Sequence, residues 1–262
     1  MSRLVRPAVA FALATAACLS GAPALAGPAR LPGGVTQGDT SSLVPIVWEG
    51  QAWLAKMSPV LPAPPAPNYW LATPETVFTD SAGRLHLVAQ KIATNYYSAA
   101  VTSVKNDYGY GNYRFVVDTK LTALDPMAVV GMFTYNPNVK PDHQEVDVEL
   151  SRWGQPSLTA ANAQFVVQPW RVRNQISRFY APNSTALTYE FTWSPKSIVF
   201  KVRRGTAANA PVIRTWKTLP PPNPPGTGNK IHLNLWFARG QAPYNHTGQS
   251  VIFRSFSYTP AA

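Results

Sequence analysis

Between closely spaced prolines and glycines this chain alternates apolar and polar residues, and that pattern constrains its fold more than any other feature. Side chains of a strand point to opposite faces with period two, whereas an amphipathic helix repeats its apolar residues at i, i+3 and i+4. Arg84–Val88 (RLHLV), Gly111–Asp118 (GNYRFVVD), Leu187–Trp193, Ser197–Arg203, Lys230–Phe237 and Val251–Tyr258 follow the strand period. Turn signals separate them at Asp80-Ser81-Ala82-Gly83, Tyr108-Gly109-Tyr110-Gly111, Trp193-Ser194-Pro195 and Arg204-Gly205. With 26 Pro and 16 Gly in 262 residues long helices have little room. Many short strands at this spacing predict an all-β sandwich or jelly roll. Pro59–Pro67 and Pro220–Pro225 cannot donate to a ladder and are expected as loops or extended surface segments.

The first residues read as an address. Arg3 and Arg6 precede an apolar run from Ala8 to Leu19, broken only by Thr15, and Ala24-Leu25-Ala26 offers the small-x-small pattern of a cleavage site. Residues 1–26 are therefore expected to be a signal peptide of a secreted, extracellular protein. Residues 27–39 are expected to form a flexible N-terminal lead-in, and 40–262 a single domain. Thr15 stands where a lipobox ahead of Cys18 would carry Leu, which argues against a lipid anchor. No later stretch approaches 18 consecutive apolar residues, so no membrane is expected after cleavage. Loss of Cys18, the only cysteine, leaves nothing to form a disulfide.

The precursor carries a formal +11 charge. Arg171, Arg173 and Arg178 form one basic group, and Lys196, Lys201, Arg203 and Arg204 another. Such a balance is compatible with an anionic surface or polymer, and a charged solvent face explains both groups adequately. They lie in strand-like segments without a recognition-helix pattern, so no nucleic acid is expected.

Acids are few, and three of them fall on one short run, Gln144-Glu145-Val146-Asp147-Val148-Glu149-Leu150. On a strand, Glu145, Asp147 and Glu149 share a face at Cα spacings of about 6.5 Å, while the valines and Leu150 enter the opposite layer. Like charges so arranged raise one another's proton affinity, and at least one should hold a proton near neutrality. A glycosidase uses that state: one carboxylate attacks the anomeric carbon and a protonated partner feeds the leaving oxygen. A solvated charged strand, a calcium-chelating face and carbohydrate binding without turnover are the other readings of the same ladder.

Glu145-Val146-Asp147-Val148-Glu149 matches the E-x-D-x-E signature of glycoside hydrolase family 16, and the chain resembles that family over about residues 45 to 260. Gly50–Trp53, Asn68-Tyr69-Trp70, Asp80–Leu87, Tyr108–Phe115, Tyr189–Pro195, Lys230–Phe237 and Phe253–Tyr258 are similar to its other elements in order. The resemblance implies an all-β, two-sheet antiparallel β-sandwich of the concanavalin-like β-jelly-roll type. It implies a secreted, endo-acting retaining β-glycan hydrolase working by double displacement through a glycosyl-enzyme intermediate. In it Glu145 corresponds to the nucleophile, Asp147 to the assisting aspartate and Glu149 to the acid/base. The five-residue form, without an inserted residue, predicts a regular strand. It leans towards a β-glucan, mixed-linkage β-1,3-1,4 or related, rather than a pure β-1,3-glucan. A binding module with weak or lost activity, and a transglycosylase on the same scaffold, are the alternatives. His143-Gln144 stands where the family often has Asn or Gly, and the hairpin ending in Arg203-Arg204-Gly205 lacks the family's Asp.

A glycan cleft needs flat apolar faces under the sugars and polar groups for hydroxyls. Trp153, Tyr135, the same-face pair Asn234 and Trp236, Gln168 with Trp170, and His143 are the candidates. Core packing is the competing role for the tryptophans, and a plain surface role for His143. No cofactor is required, a structural calcium remains open, and the polysaccharide is the expected partner of a monomeric protein. The histidines form no metal set, and no G-x-S-x-G elbow supports serine catalysis.

Overall fold

The structure, a computed structural model, describes residues 42–139, 145–218 and 226–261. The expectations for the signal peptide, the lead-in over 27–39, His143 and Pro220–Pro225 lie outside the described residues.

Sixteen strands form among the described residues: β1 (Ser42–Trp48), β2 (Gln51–Ala63), β3 (Asn68–Trp70), β4 (Val77–Thr79), β5 (Leu85–Ile92), β6 (Asn95–Ser103), β7 (Gly111–Val117) and β8 (Ala128–Tyr135), then β9 (Glu145–Leu150), β10 (Ala163–Val167), β11 (Ile176–Phe179), β12 (Leu187–Ser194), β13 (Ser197–Arg204), β14 (Val212–Thr218), β15 (Lys230–Phe237) and β16 (Gln249–Pro260). One layer runs β11-β10-β9-β8-β15-β6 and continues through β2 to β1. The other runs β5-β16-β7-β12-β13-β14, with β4 on β5. The layers join where Gln90–Ile92 pairs with Asn95–Tyr97. The only parallel pairing among these strands is β3 with β6. This is the antiparallel jelly-roll sandwich that the alternation predicts.

The core is the inner face of both layers, and aromatic rings dominate it. Phe165 of β10 stacks on Phe200 of β13 at 4.8 Å between centroids, and Trp53 of β2 meets Phe256 of β16 edge-on at 5.9 Å. Phe165, Phe200 and Trp53 are fully buried, and truncating one ring of this kind costs about 3–5 kcal/mol. The β4–β5 turn is closed by Asp80. Its Oδ1 accepts from the amides of Ala82 and Arg84 at 3.0 and 2.9 Å, and Gly83 takes a φ of +74° there.

Of the two forms expected for Pro59–Pro67, Pro59 and Pro62 take the extended one inside β2, and Pro64–Pro67 lie in the turn before β3. The register of β2 against β3 shifts between Ser58 and Ala63, so Pro59–Pro62 sit in an irregular stretch without ladder partners there. A strand accommodates proline at such a bulge or edge, because no ladder donor is required.

Candidate active site

β9 lies inside its layer, paired with β8 on one side and β10 on the other. Neither register is interrupted between Glu145 and Leu150, so the strand is regular, as the five-residue motif predicts. Val146, Val148 and Leu150 are fully buried in the sandwich core. Period two then sends Glu145, Asp147 and Glu149 to the outer face of the layer. Glu145 stands opposite Tyr135 of β8, Asp147 opposite Phe133 of β8 and Val166 of β10, and Glu149 opposite Gly131 of β8 and Gln164 of β10.

Burial is the main cause of the electrostatics. It pushes Glu145 up to about 7, helped by the Glu149 charge and opposed by a hydrogen bond from Gln168. Asp147 is driven well above the usual carboxylate range, first by burial and then by Glu145 and Glu149. Its Oδ1 is buried without a hydrogen-bond partner among the described residues, which suits a carboxyl that keeps its proton. Glu149 is also raised by burial, but Gln164 and the Arg178 charge hold it back. Gln164 Nε2 donates to Glu149 Oε2 at 2.5 Å, and Arg178 Nε donates to Gln164 Oε1 at 2.9 Å. The outcome is a carboxylate cluster that retains protons near neutral pH and shares them among its members. The acids of the other layer differ: Asp118 accepts from Arg254 Nε at 2.9 and 3.0 Å, and Glu190 from Arg203 Nε at 2.8 Å.

The neighbouring strands furnish the floor. Asn234 of β15 is buried, and its Oδ1 accepts from the Gly131 amide at 2.9 Å, beside Glu149. A Cβ on Gly131 would lie 2.5 Å from that oxygen, so only glycine lets Asn234 approach. Gly131→Ala is therefore expected to displace the amide and lower kcat/KM by up to ~100-fold, the scale of a 1 Å misplacement. Adding Asn234→Ala should recover the lost thermal stability without recovering activity, which steady-state kinetics and a melting curve together check.

Trp236 shares the face of Asn234 and meets Trp153 edge-on at 6.0 Å. Trp153 is half-buried in a left-handed conformation (φ 53°), with its amide on Ser151 Oγ. These two indoles, with Trp70 and Met127, form a separate apolar cluster at one end of the carboxylates' face. Tyr135 is half-buried and edge-on to His232 at 5.5 Å. Gln168 is buried and serves Glu145, and its Oε1 accepts from the Trp170 amide at 3.1 Å. Trp170 itself lies beneath the Arg171 guanidinium, so it is tied to the carboxylates through Gln168.

Sequence reasoning missed Gln164 and His232 as site residues, and Arg178 as more than surface charge. A polar residue inside the apolar run Ala163-Gln164-Phe165-Val166-Val167 was the available signal for Gln164. His232 lies on the same face as Asn234, stacked on Phe133 at 5.0 Å, with Nδ1 against Thr102 Oγ1 at 3.0 Å. Its Nε2 is buried without a partner among the described residues, and burial pushes the ring down to about 3, so it is neutral. Among the described residues no group of three or more His, Cys, Asp or Glu is arranged to hold a metal ion. No helix among them is long and apolar enough to cross a membrane.

The fold that carries this face is found in known proteins. The protein's fold is similar to the Bacillus licheniformis β-glucanase, with a TM-score of 0.62 at 22% identity over 86% of this chain and 100% of the other. A prokaryotic β-1,3-1,4-glucanase (lichenase) derived from a mouse hindgut metagenome superposes with a TM-score of 0.60 at 18% identity, covering 85% of this chain and 100% of the other. An immunostimulatory antigen and pseudo β-1,3-glucanase of Mycobacterium tuberculosis gives 0.58 at 14% identity, over 80% and 91%. At these identities the likeness shows the fold alone. No curated protein matches by sequence. Residues 67–253 match the family described as Glycosyl hydrolases family 16 and include all three carboxylates and most of the strands around them. The chain belongs to glycosyl hydrolase family 16.

Proposed function

We propose that the protein is a secreted, endo-acting retaining β-glycan hydrolase, with residues 1–26 removed on export and 40–262 forming the catalytic domain. The observation that carries this reading is the row of three carboxylates on one outward face of a regular strand, sharing protons near neutral pH. Structural charge rows do not have this character, since paired ions keep their carboxyls low. In the first step a Glu145 oxygen attacks the anomeric carbon while Glu149 gives its proton to the glycosidic oxygen. The C1–O bond breaks, and a glycosyl ester forms on Glu145. Glu149, now a carboxylate, takes a proton from water as the water oxygen attacks C1, and Glu145 leaves as a carboxylate. A neutral Asp147 keeps a third charge out of the pair. Gln164 engages Glu149 Oε2, and Oε1 is the oxygen suited to carry the transferred proton. An acceptor sugar in place of water would give transglycosylation.

The substrate we infer is a β-glucan, mixed-linkage β-1,3-1,4 or related. The regular E-x-D-x-E strand supports it, as do the β-glucanase and lichenase among the structures of the same fold. Because the same fold also occurs in a protein named as a pseudo β-1,3-glucanase, glycan binding without turnover is the second reading. Incubating the protein and its Glu145→Gln variant with soluble β-glucans, xyloglucan, agar and carrageenan, and following reducing ends, decides between them. Cleavage lost in the variant supports the hydrolase. Unchanged binding without new reducing ends supports the second reading.

Gln164 provides a finer test. Its hydrogen bond favours ionised Glu149, so Gln164→Leu should raise the proton affinity of Glu149. The alkaline limb of kcat/KM then moves to higher pH by about one unit, the size of one charge-assisted hydrogen bond of ~1.5 kcal/mol. A limb that stays in place or moves down would contradict the assignment of Glu149 as the acid.

A further inference from the structure

Charge is distributed very unevenly along this protein. Beyond Glu149 it carries one acid, Glu190, against thirteen Lys and Arg. Glu190 is already taken by Arg203 at 2.8 Å, with Arg114 at 3.8 Å. Where β11 at the end of one layer meets β13 and β14 of the other, an open cavity of about 450 Å³ is lined by Arg178, Arg204 and Arg214. No carboxylate is among its lining residues. The volume falls within the ~300–1,000 Å³ of small-molecule sites.

The three arginines come from three strands and are all exposed. Arg214 is held by Nη2 on Ser177 Oγ at 3.1 Å and by its guanidinium over the Phe179 ring at 5.5 Å. Arg178 is held by Nε on Gln164 at 2.9 Å. Tyr180 and Ile213, 49% and 38% exposed, give the cavity an apolar flank of the kind that lies against a sugar ring. Arg178 also belongs to the carboxylates' face. It pairs with Gln164, which pairs with Glu149, so the three form one row across β9, β10 and β11. At ~4.8 Å between strands the backbone of Arg178 is about 10 Å from that of Glu149. A glycan lying across Glu149 towards β11 therefore reaches Arg178, through which the cavity adjoins that face.

We propose that this cavity is an anion subsite which takes a sulfate ester carried by the glycan in the cleft. The inference rests on the glycan-cleft reading above and extends its substrate class to β-glycans bearing sulfate. Guanidinium donors from three separate strands suit the three outward oxygens of a tetrahedral ester. A planar carboxylate is served by one bidentate fork.

The test uses the full chain bearing Glu145→Gln, so that binding is read without turnover, and the same protein with Arg204→Gln and Arg214→Gln added. Arg178 is spared because it holds Gln164. Calorimetry measures affinity for a sulfated β-glucan oligosaccharide, for its unsulfated parent and for inorganic sulfate, at low and high salt. The expected result is a sulfated ligand bound about tenfold tighter than its parent, two or more new charge-assisted hydrogen bonds being ample for this. The two arginine substitutions bring the advantage within about twofold, leave the parent's affinity unchanged, and, in the otherwise native protein, leave cleavage of neutral β-glucan unchanged. Equal affinities for the two oligosaccharides, or an advantage that survives the substitutions, overturns the subsite. Arginine-dependent binding of inorganic sulfate without any preference between the oligosaccharides also overturns it, since the cavity then serves a free anion. A protein that cleaves neutral β-glucan but shows no preference loses the subsite alone, whereas one that binds neither oligosaccharide loses the glycan cleft as well.

Discussion

Replacing Glu145 by alanine is expected to lower kcat by roughly 10⁴-fold or more, the scale on which a covalent nucleophile acts. The variant leaves an apolar gap on the side of the sugar that Glu145 attacks. Azide admitted to that gap attacks C1 of an activated β-glucoside directly, so the rescued product is the inverted, α-glycosyl azide. The electrostatics make this experiment necessary, because burial raises both glutamates and the cluster shares its protons. Folding provides the control. The native state holds the Glu145 proton up to about 7, whereas an unfolded chain releases it near the ordinary 4.5. The native state thus binds more protons in that window, and wild-type stability falls as pH rises through it. Glu145→Ala removes this loss, so its melting temperature relative to wild type should rise between pH 4.5 and 7. An inactive variant that is also unfolded at pH 7 would contradict the account.

Glu149→Ala should behave differently. Without a proton donor the first step on an ordinary glycan slows by ~10²–10⁴-fold. An aryl glucoside whose leaving group needs no proton keeps a rapid first step, and a burst of aglycone precedes slow hydrolysis of the ester on Glu145. Azide then attacks that ester in place of water, and after two inversions the product is the β-glycosyl azide. The alkaline limb of kcat/KM disappears together with the acid. Product stereochemistry by NMR reads both variants. An α-azide from Glu149→Ala and a β-azide from Glu145→Ala would mean that the two glutamates exchange roles.

Much of this was legible in the residues. β15 spans Lys230–Phe237 and β7 Gly111–Val117, within one residue of their alternating stretches, because strand period and turn residues act locally. The β9 ladder was legible for the same reason, since alternate valines entering the core fix which face the carboxylates take. Pro59–Pro62 was legible only as loop or extended segment, since proline's missing donor leaves a bulge within a strand as open as a loop. The row Glu149–Gln164–Arg178 was invisible for another reason. Which residues stand opposite one another depends on the register of β9, β10 and β11, set by packing across the sheet rather than within any one segment. His232 likewise owes its neutral state first to burial, with Phe133 of β8 stacked on it, and then to Lys230 of its own strand and Lys56 of β2.

The most direct measurement of the central claim is the anomeric configuration of the first product released from mixed-linkage β-glucan, followed by proton NMR before mutarotation. Two displacements at C1, through Glu145 and then water, require the β-anomer to appear first and the α-anomer to grow in later. An α-anomer released first would contradict the double displacement and with it the role of Glu145 as nucleophile.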